Sequence, residues 1–226
     1  MSVATETGDT TASAGAVVKE YVDDLTQALA GLDVASATGV LTTLTAALRA
    51  GRTVLIAGNG GSSTAAVHIA ADLAAASAGL DAAPHAAALT ENVARLTAIA
   101  NDHSFEEVFA RQLGGRGGPG DVLLLLSVSG QSANLVRAAE TGRAQGMTVL
   151  AALGYAGALA GLADRTVIFG QADYGLTEDL HVALGHMAVR ILTGGEACRY
   201  RPGGAEAGSA DEAAGAAGPT RGRRAP

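Results

Sequence analysis

The sequence predicts an α/β domain of the flavodoxin-like kind, in which helices cover both faces of a five-stranded, doubly wound parallel sheet. Two observations predict this class. Five short runs are apolar at successive positions, as strands buried on both faces are, and longer helical patterns separate them. Glycine and serine are concentrated in the joints that follow the first and third of these runs. A chain of 226 residues with 48% apolar composition can bury one such core.

Two amphipathic helices precede the first strand, because apolar residues recur at helical spacing from Val17 to Leu29 and again from Leu41 to Leu48. The predicted strands are residues 53–58, 85–89, 121–127, 148–153 and 165–170, with the pattern weakest at 85–89. The predicted helices among them are residues 64–78, 92–100, 105–114, 132–145 and 177–193. The folded domain is expected to cover residues 15–200.

The two ends are expected to be disordered. Residues 1–14 are small and polar without periodicity, and residues 201–226 are rich in glycine, alanine and proline.

Composition excludes several classes of function. Aromatic residues make up 3% of the chain, which argues against nucleic-acid binding by base stacking. A net charge of −7 argues against a surface that attracts nucleic acid or anionic lipid. The single cysteine, Cys198, cannot form an internal disulfide, and no apolar run reaches 18 residues. We expect a cytoplasmic protein with no nucleic-acid or membrane partner.

Two Gly/Ser loops each join a buried strand to a helix. The first, residues 58–63, has the sequence GNGGSS, and the second, residues 127–132, has the sequence SVSGQS. A helix N-terminus offers unpaired N–H groups and the positive end of a dipole, so hydroxyls gathered there suit a phosphate dianion. Either loop alone could be only a tight turn with a serine cap. Neither matches a dinucleotide or ATP fingerprint, so those ligands are not expected.

Two helices carry a possible metal site. His68 and Asp72 are four residues apart on the helix after the first loop, and Glu178 and His186 share a face of the last helix. Two imidazoles and two carboxylates suit a borderline divalent cation, with zinc as the first choice. A solvated ion pair is the alternative for His68 and Asp72 taken alone.

Four segments together carry a resemblance to a known family. They are AGNGGSS followed by HIAADL, LTAIANDHSFEEVFARQL, GDVLLLLSVSGQSANLVRAAETGRAQGMTVLAALG, and EDLHVALGHMAVRIL. Over residues 17–195 the chain resembles the SIS (sugar isomerase) domain family, and within it the phosphoheptose isomerases. The resemblance implies an aldose–ketose isomerase of heptose biosynthesis, which converts sedoheptulose 7-phosphate to D-glycero-D-heptose 7-phosphate through an enediolate. It also implies one Zn²⁺ per subunit and a homo-oligomer, most simply a tetramer.

The resemblance assigns roles to individual positions. The substrate-binding residues that it implies are Asn59, Gly60, Gly61, Ser62, Asn101, Asp102, Ser127, Val128, Ser129 and Ser132. The metal ligands that it implies are His68, Asp72, Glu178 and His186. Asp72 is expected to be the base, assisted or replaced by Glu178, and His186 is expected to be the acid or proton shuttle.

The chain departs from the family pattern near the expected sugar. The family usually has glutamate where this chain has Asp72, and glutamine where it has Glu178. Val128 replaces a threonine, Gln131 replaces an asparagine, and the segment before the last helix is about two residues longer. Which carboxylate acts as the base therefore stays open.

Two other functions remain possible from sequence. The first is a non-catalytic SIS module that binds a sugar phosphate or a partner protein such as the replication initiator, since a fold does not determine function. The second is an isomerase that acts on a different sugar phosphate. The isomerase interpretation is favoured because all four metal positions keep an acidic or imidazole side chain.

Overall fold

Five parallel strands form a single sheet, as the sequence predicts, and their order is β2-β1-β3-β4-β5. The structure, a computed structural model, describes residues 13–80, 85–171 and 173–195. The strands are β1 Thr53–Gly58, β2 His85–Ala88, β3 Val122–Ser127, β4 Thr148–Leu153 and β5 Arg165–Ile168. The chain passes from β1 outward to β2 and then returns to place β3 on the other side of β1. At such a switch point, the crevice at the carboxyl edge of the sheet is the usual ligand site.

Helices cover both faces of the sheet. They are α1 Ala14–Ala30, α2 Val34–Arg49, α3 Gly61–Ser77, α4 Val93–Asp102, α5 Ala110–Leu113, α6 Ala133–Ala144, α7 Gly157–Leu162 and α8 Tyr174–Leu192. Helices α2, α3 and α8 pack on one face with a single buried residue of α1, and α5, α6 and α7 pack on the other. The side chains of β1 alternate accordingly: Val54 and Ile56 enter the first core, and Leu55 and Ala57 enter the second.

Four elements differ most from the prediction. Helix α3 begins at Gly61 rather than at residue 64. The helix expected over residues 105–114 is divided into a 3₁₀ turn, Phe105–Glu107, and the short helix α5. Helix α7 was not predicted, because six residues with two glycines show no helical period. Helix α8 begins at Tyr174 rather than at residue 177, because the Asp173 side chain accepts a hydrogen bond from the backbone N–H of Leu176.

The first helix is largely exposed. Ala28 is its only buried residue, and apolar side chains at Val17, Val18, Val22 and Leu29 face outward. Helix α2, by contrast, buries one face in the first core.

Among the described residues, no single helix is long and apolar enough to cross a bilayer, although α1 and α2 together would pass that test if they were not bent by 76°. Residues 1–12 and 196–226 lie outside the description, so the predicted disorder of the ends stays a prediction there.

Candidate active site

A cavity of about 280 Å³ lies at the carboxyl edge of the sheet, between the loops after β1 and β3 and the start of α8. Eight residues expected to contact substrate or metal line it: Asn59, Gly60, Ser62, Ser127, Val128, Ser129, Ser132 and Glu178. Leu126, Leu135 and Tyr174 complete the wall. None of these residues is cationic, so the attraction for an anion must come from hydroxyl and backbone donors and from the helix dipoles.

The loop after β1 turns sharply into α3. Gly60 adopts a positive φ of 55°, and the Ser63 hydroxyl donates a hydrogen bond to the Gly60 carbonyl oxygen at 2.7 Å. A β carbon at Gly58 would lie 2.6 Å from the backbone oxygen of Ser62, so only glycine lets the loop close this tightly. The turn aims the N-terminus of α3 at the cavity.

The loop after β3 is held by its own serines. The Ser127 hydroxyl oxygen accepts from the Gly130 N–H at 3.0 Å, and that of Ser129 accepts from the Gln131 N–H at 3.2 Å. Because both oxygens accept these bonds, their O–H groups remain available as donors. Ser132 precedes the first residue of α6, and its side chain makes no capping bond to the helix. Three hydroxyls can therefore donate to a phosphate here.

Two asparagines join the loops. The side-chain amides of Asn59 and Asn134 each donate to the other's oxygen at 2.9 Å. Asn134 lies in the first turn of α6 and is 3% exposed. The sequence analysis did not identify Asn134. Its place in the first turn of a predicted helix was the available signal, because a buried amide there needs a hydrogen-bond partner. The pair fixes the first loop to the helix that follows the second.

Glu178 faces the first loop from α8. A β carbon at Gly61 would overlap its carboxylate, so Gly61 permits the close approach. Gly61 is the first residue of α3, and a carboxylate is favourable at a helix N-terminus. Tyr174, one turn earlier on α8, lines the same cavity. Tyr174 was not identified from sequence because the predicted helix began three residues later.

A separate cluster lies farther along α3 and α8. The Nε2 atoms of His68 and His186 are 3.1 Å apart, and Asp72 Oδ2 lies 3.4 Å from His68 Nε2 and 3.6 Å from His186 Nε2. A tetrahedral zinc with bonds of about 2.0–2.1 Å holds its ligand atoms about 3.3 Å apart. These donor types and separations fit a zinc ion or a similar divalent cation. All three residues are at least partly exposed.

Some predicted residues lie elsewhere than expected. Glu178 lines the cavity and is not part of the His68, Asp72 and His186 group, and Gly61 is not among the residues that line the cavity. Asn101 and Asp102 end α4, where the Asn101 amide donates to Asp102 Oδ1 at 2.9 Å, and neither lines the cavity.

His181 lies between the two functional ends of α8 and is fully buried. Its Nε2 is 3.0 Å from the carbonyl oxygen of Ala152, and its ring packs edge-on against Phe169. Burial lowers the pKa of His181 to about 4, so the ring is neutral at physiological pH. We assign it to the packing of α8 on the sheet.

Comparison with known proteins agrees with this geometry. Residues 20–154 match the SIS domain family. The phosphoheptose isomerase of Rhodospirillum rubrum is 39% identical over 160 residues, which are 70% of this chain and 84% of that protein. This chain belongs to the SIS domain family. The phosphoheptose isomerase of Mycobacterium tuberculosis is 42% identical over 145 residues, which are 63% of this SIS chain and 74% of the relative.

Solved structures place the SIS chain among isomerases. The phosphoheptose isomerase of Neisseria gonorrhoeae superposes with a TM-score of 0.73 at 27% identity, covering 80% of this chain and 98% of that one. The enzyme of Francisella tularensis gives 0.72 at 26% identity, covering 81% and 100%. With such relatives over most of its length, the protein is an isomerase.

The fold alone is shared more widely. The Vibrio vulnificus NanR protein, solved in complex with ManNAc-6P, gives a TM-score of 0.60 at 14% identity, covering 82% of this chain and 63% of that one.

Proposed function

We propose that this isomerase converts sedoheptulose 7-phosphate to D-glycero-D-heptose 7-phosphate in heptose biosynthesis. The observation that carries the proposal is the placement of two sites on the same two helices. Helices α3 and α8 begin at the hydroxyl-lined cavity, and farther along they carry His68, Asp72 and His186. An aldose–ketose isomerase needs both a phosphate-binding site and a group of proton carriers.

In the proposed complex the phosphate occupies the cavity. The O–H groups of Ser127, Ser129 and Ser132 donate to its oxygens, and the N-termini of α3 and α6 supply favourable dipoles. Binding energy gained there orients the carbon chain at a distance from the phosphate, which raises the rate by positioning.

The remaining chemistry is proton transfer. Asp72 removes a proton from C1 of the ketose, and His186 donates a proton to the C2 carbonyl oxygen, so that a neutral enediol forms. His186 then takes the proton of the C1 hydroxyl, and Asp72 returns its proton to C2, which leaves the aldehyde at C1. The 3.6 Å contact between Asp72 and His186 keeps the two carriers together. Glu178 is the alternative base, because it lies on the same helix as His186.

We infer that His68, Asp72 and His186 would hold a divalent metal, with zinc as the first choice. When bound, the metal would polarise the carbonyl and hydroxyl oxygens of the sugar and would take the place of His186 as the acid, because a ligating imidazole nitrogen has no proton to donate. Glu178 stays the proposed fourth ligand, although its carboxylate faces Gly61 in this structure. Asn101 and Asp102 stay proposed substrate contacts.

The proposal includes a homo-oligomer, most simply a tetramer, because α1 leaves an apolar face uncovered. The cytoplasm, where phosphorylated sugars are made and used, is the proposed compartment.

NMR of the product tests the function. Protein incubated with sedoheptulose 7-phosphate, with and without added zinc, should yield the aldose, and recording the C1 signals identifies the epimer. Binding without turnover under both conditions would favour a non-catalytic sugar-phosphate module. Turnover of another ketose phosphate, but not of this one, would keep the reaction type and reject the substrate.

A further inference from the structure

A hydrogen bond connects α1 to the start of α8. The hydroxyl of Tyr21 donates to Asp179 Oδ2 at 2.8 Å. This bond is the main reason why the pKa of Tyr21 rises to about 12, with burial and the charge of Asp179 as further causes. The phenol therefore remains a protonated donor throughout the physiological range. Helix α1 has one buried residue, Ala28, and a partly buried leucine, Leu25, that packs against the core, and the Tyr21 bond adds a polar contact to these.

The Tyr21 hydroxyl also contacts the first turn of α8. A β carbon at Gly175 would lie 3.3 Å from the Tyr21 hydroxyl oxygen and 3.2 Å from Asp173 Oδ1. Asp173 caps the helix by accepting from the Leu176 N–H at 3.0 Å. Tyr21 thus packs directly on the capped turn where α8 begins, and glycine at position 175 makes room for it.

This same turn supplies one wall of the cavity. Tyr174 and Glu178 both line it, and Glu178 is the neighbour of Asp179 in the chain. Successive residues of a helix point about 100° apart, so a bond that holds Asp179 also sets the rotation of the turn that carries Glu178. The close approach of Glu178 to Gly61 leaves little tolerance for a change in that rotation.

We propose that Tyr21 is a positioning residue, whose bond to Asp179 holds the first turn of α8 so that Tyr174 and Glu178 line the phosphate cavity. The inference rests on the proposed function, since it assigns α1 a part in that same cavity. In this proposal, the largely exposed helix α1 helps to form the ligand site.

Tyr21→Phe removes only the hydroxyl. We expect KM for sedoheptulose 7-phosphate and Ki for inorganic phosphate each to rise about threefold to tenfold, because this is the usual contribution of one hydrogen bond. The value of kcat should stay within about twofold. The matched control is Tyr155→Phe, because Tyr155 is another exposed tyrosine and does not line the cavity. It should behave as the wild type. An unchanged KM in Tyr21→Phe, with or without a lower melting temperature, would overturn the proposal.

Substitutions on the other side of the bond supply the rescue test. Asp179→Asn keeps an oxygen that can accept from Tyr21 and should leave KM near the wild-type value, whereas Asp179→Ala should match Tyr21→Phe. The double variant Tyr21→Phe with Asp179→Ala should be no worse than either single variant. Equal losses in Asp179→Asn and Asp179→Ala would contradict the role of the bond.

Direct calorimetry of inorganic phosphate separates this inference from the proposed function. If the wild type binds phosphate but does not isomerise the sugar, the function fails while the effect of Tyr21→Phe on phosphate Kd remains measurable. A Kd that does not change in Tyr21→Phe rejects the positioning role, whatever the reaction is.

Discussion

Individual hydroxyl groups of the second loop carry the phosphate-binding proposal. Ser129→Ala and Ser132→Ala each remove a donor to a dianion, so each should weaken sugar-phosphate binding by about 1–3 kcal/mol. The fold should persist, because both positions lie in the loop before α6. Isothermal titration with inorganic phosphate measures the loss, and Ser36→Ala, on α2, is the control. Unchanged affinity in the double variant would place the phosphate elsewhere.

The two carboxylates should differ in their effect on turnover. We expect Asp72→Asn to abolish it, because Asp72 is within 3.6 Å of both imidazoles. Glu178→Gln should remain active, because it leaves Asp72 and both imidazoles in place. Turnover and zinc content, measured together, separate lost chemistry from lost metal. The reverse pattern would make Glu178 the base, and full activity in both variants would favour a binding module.

His181 should make stability depend on pH. Its pKa is about 4 in the folded protein, against 6.5 for an exposed histidine, so between these values only the unfolded chain is protonated. Stability from this residue is therefore fully present above about pH 6.5 and is lost as pH falls towards 4. We expect a loss of about 2 kcal/mol between pH 7 and pH 5. Urea unfolding of His181→Gln should show a smaller loss, and equal pH slopes would contradict this account.

At the scale of elements, the amide pair should couple the first loop to α6. Asn134→Ala leaves the Asn59 side chain without its partner and should destabilise the protein by about 1–3 kcal/mol. Because Asn59→Ala removes the same two bonds, the double variant should cost clearly less than the sum of the single variants. Chemical denaturation of the four proteins gives the coupling energy, and strict additivity would show that the pair does not act as a unit.

Elements with a strong local signal could be predicted from sequence. Strands β1, β3 and β4 are continuous apolar runs, and the glycines and serines after two of them indicated the cavity loops. Helix α7 could not be predicted, because its six residues are set by packing of Leu159 in the second core rather than by periodicity. The start of α8 depends on the Asp173 cap. Because the sequence analysis did not recognise this cap, it placed Tyr174 before the helix and did not identify it as a site residue.

In the candidate site, too, features encoded locally could be predicted, and features that depend on contacts across the fold could not. Loop composition and helical spacing are local, so the serines of the cavity and the grouping of His68 with Asp72 could be anticipated. The orientation of Glu178 could not, because it depends on the contact between α8 and Gly61 across the fold. Family resemblance placed Glu178 with the metal ligands, whereas in this structure the carboxylate faces the cavity.

At the scale of the whole molecule, the exposed face of α1 predicts self-association. Val17, Val18 and Val22 are each more than half exposed, and an apolar stripe of this kind on one helix is usually covered by a partner. Closed symmetry would bury the same stripe in every copy. We therefore expect light scattering at micromolar concentration to show an oligomer, with a tetramer as the simplest assembly.

The double substitution Val18→Asp with Val22→Asp should dissociate that oligomer, because it places charges in the expected apolar contact. Both side chains are 55% exposed or more in the single chain, so folding of the subunit should be little affected. Val93→Asp makes the same chemical change at the start of α4, where the valine is 67% exposed, and serves as the control. A wild-type monomer, or an oligomer that survives the double substitution, would contradict association through α1. Dissociation by Val93→Asp alone would instead indicate an interface that includes α4.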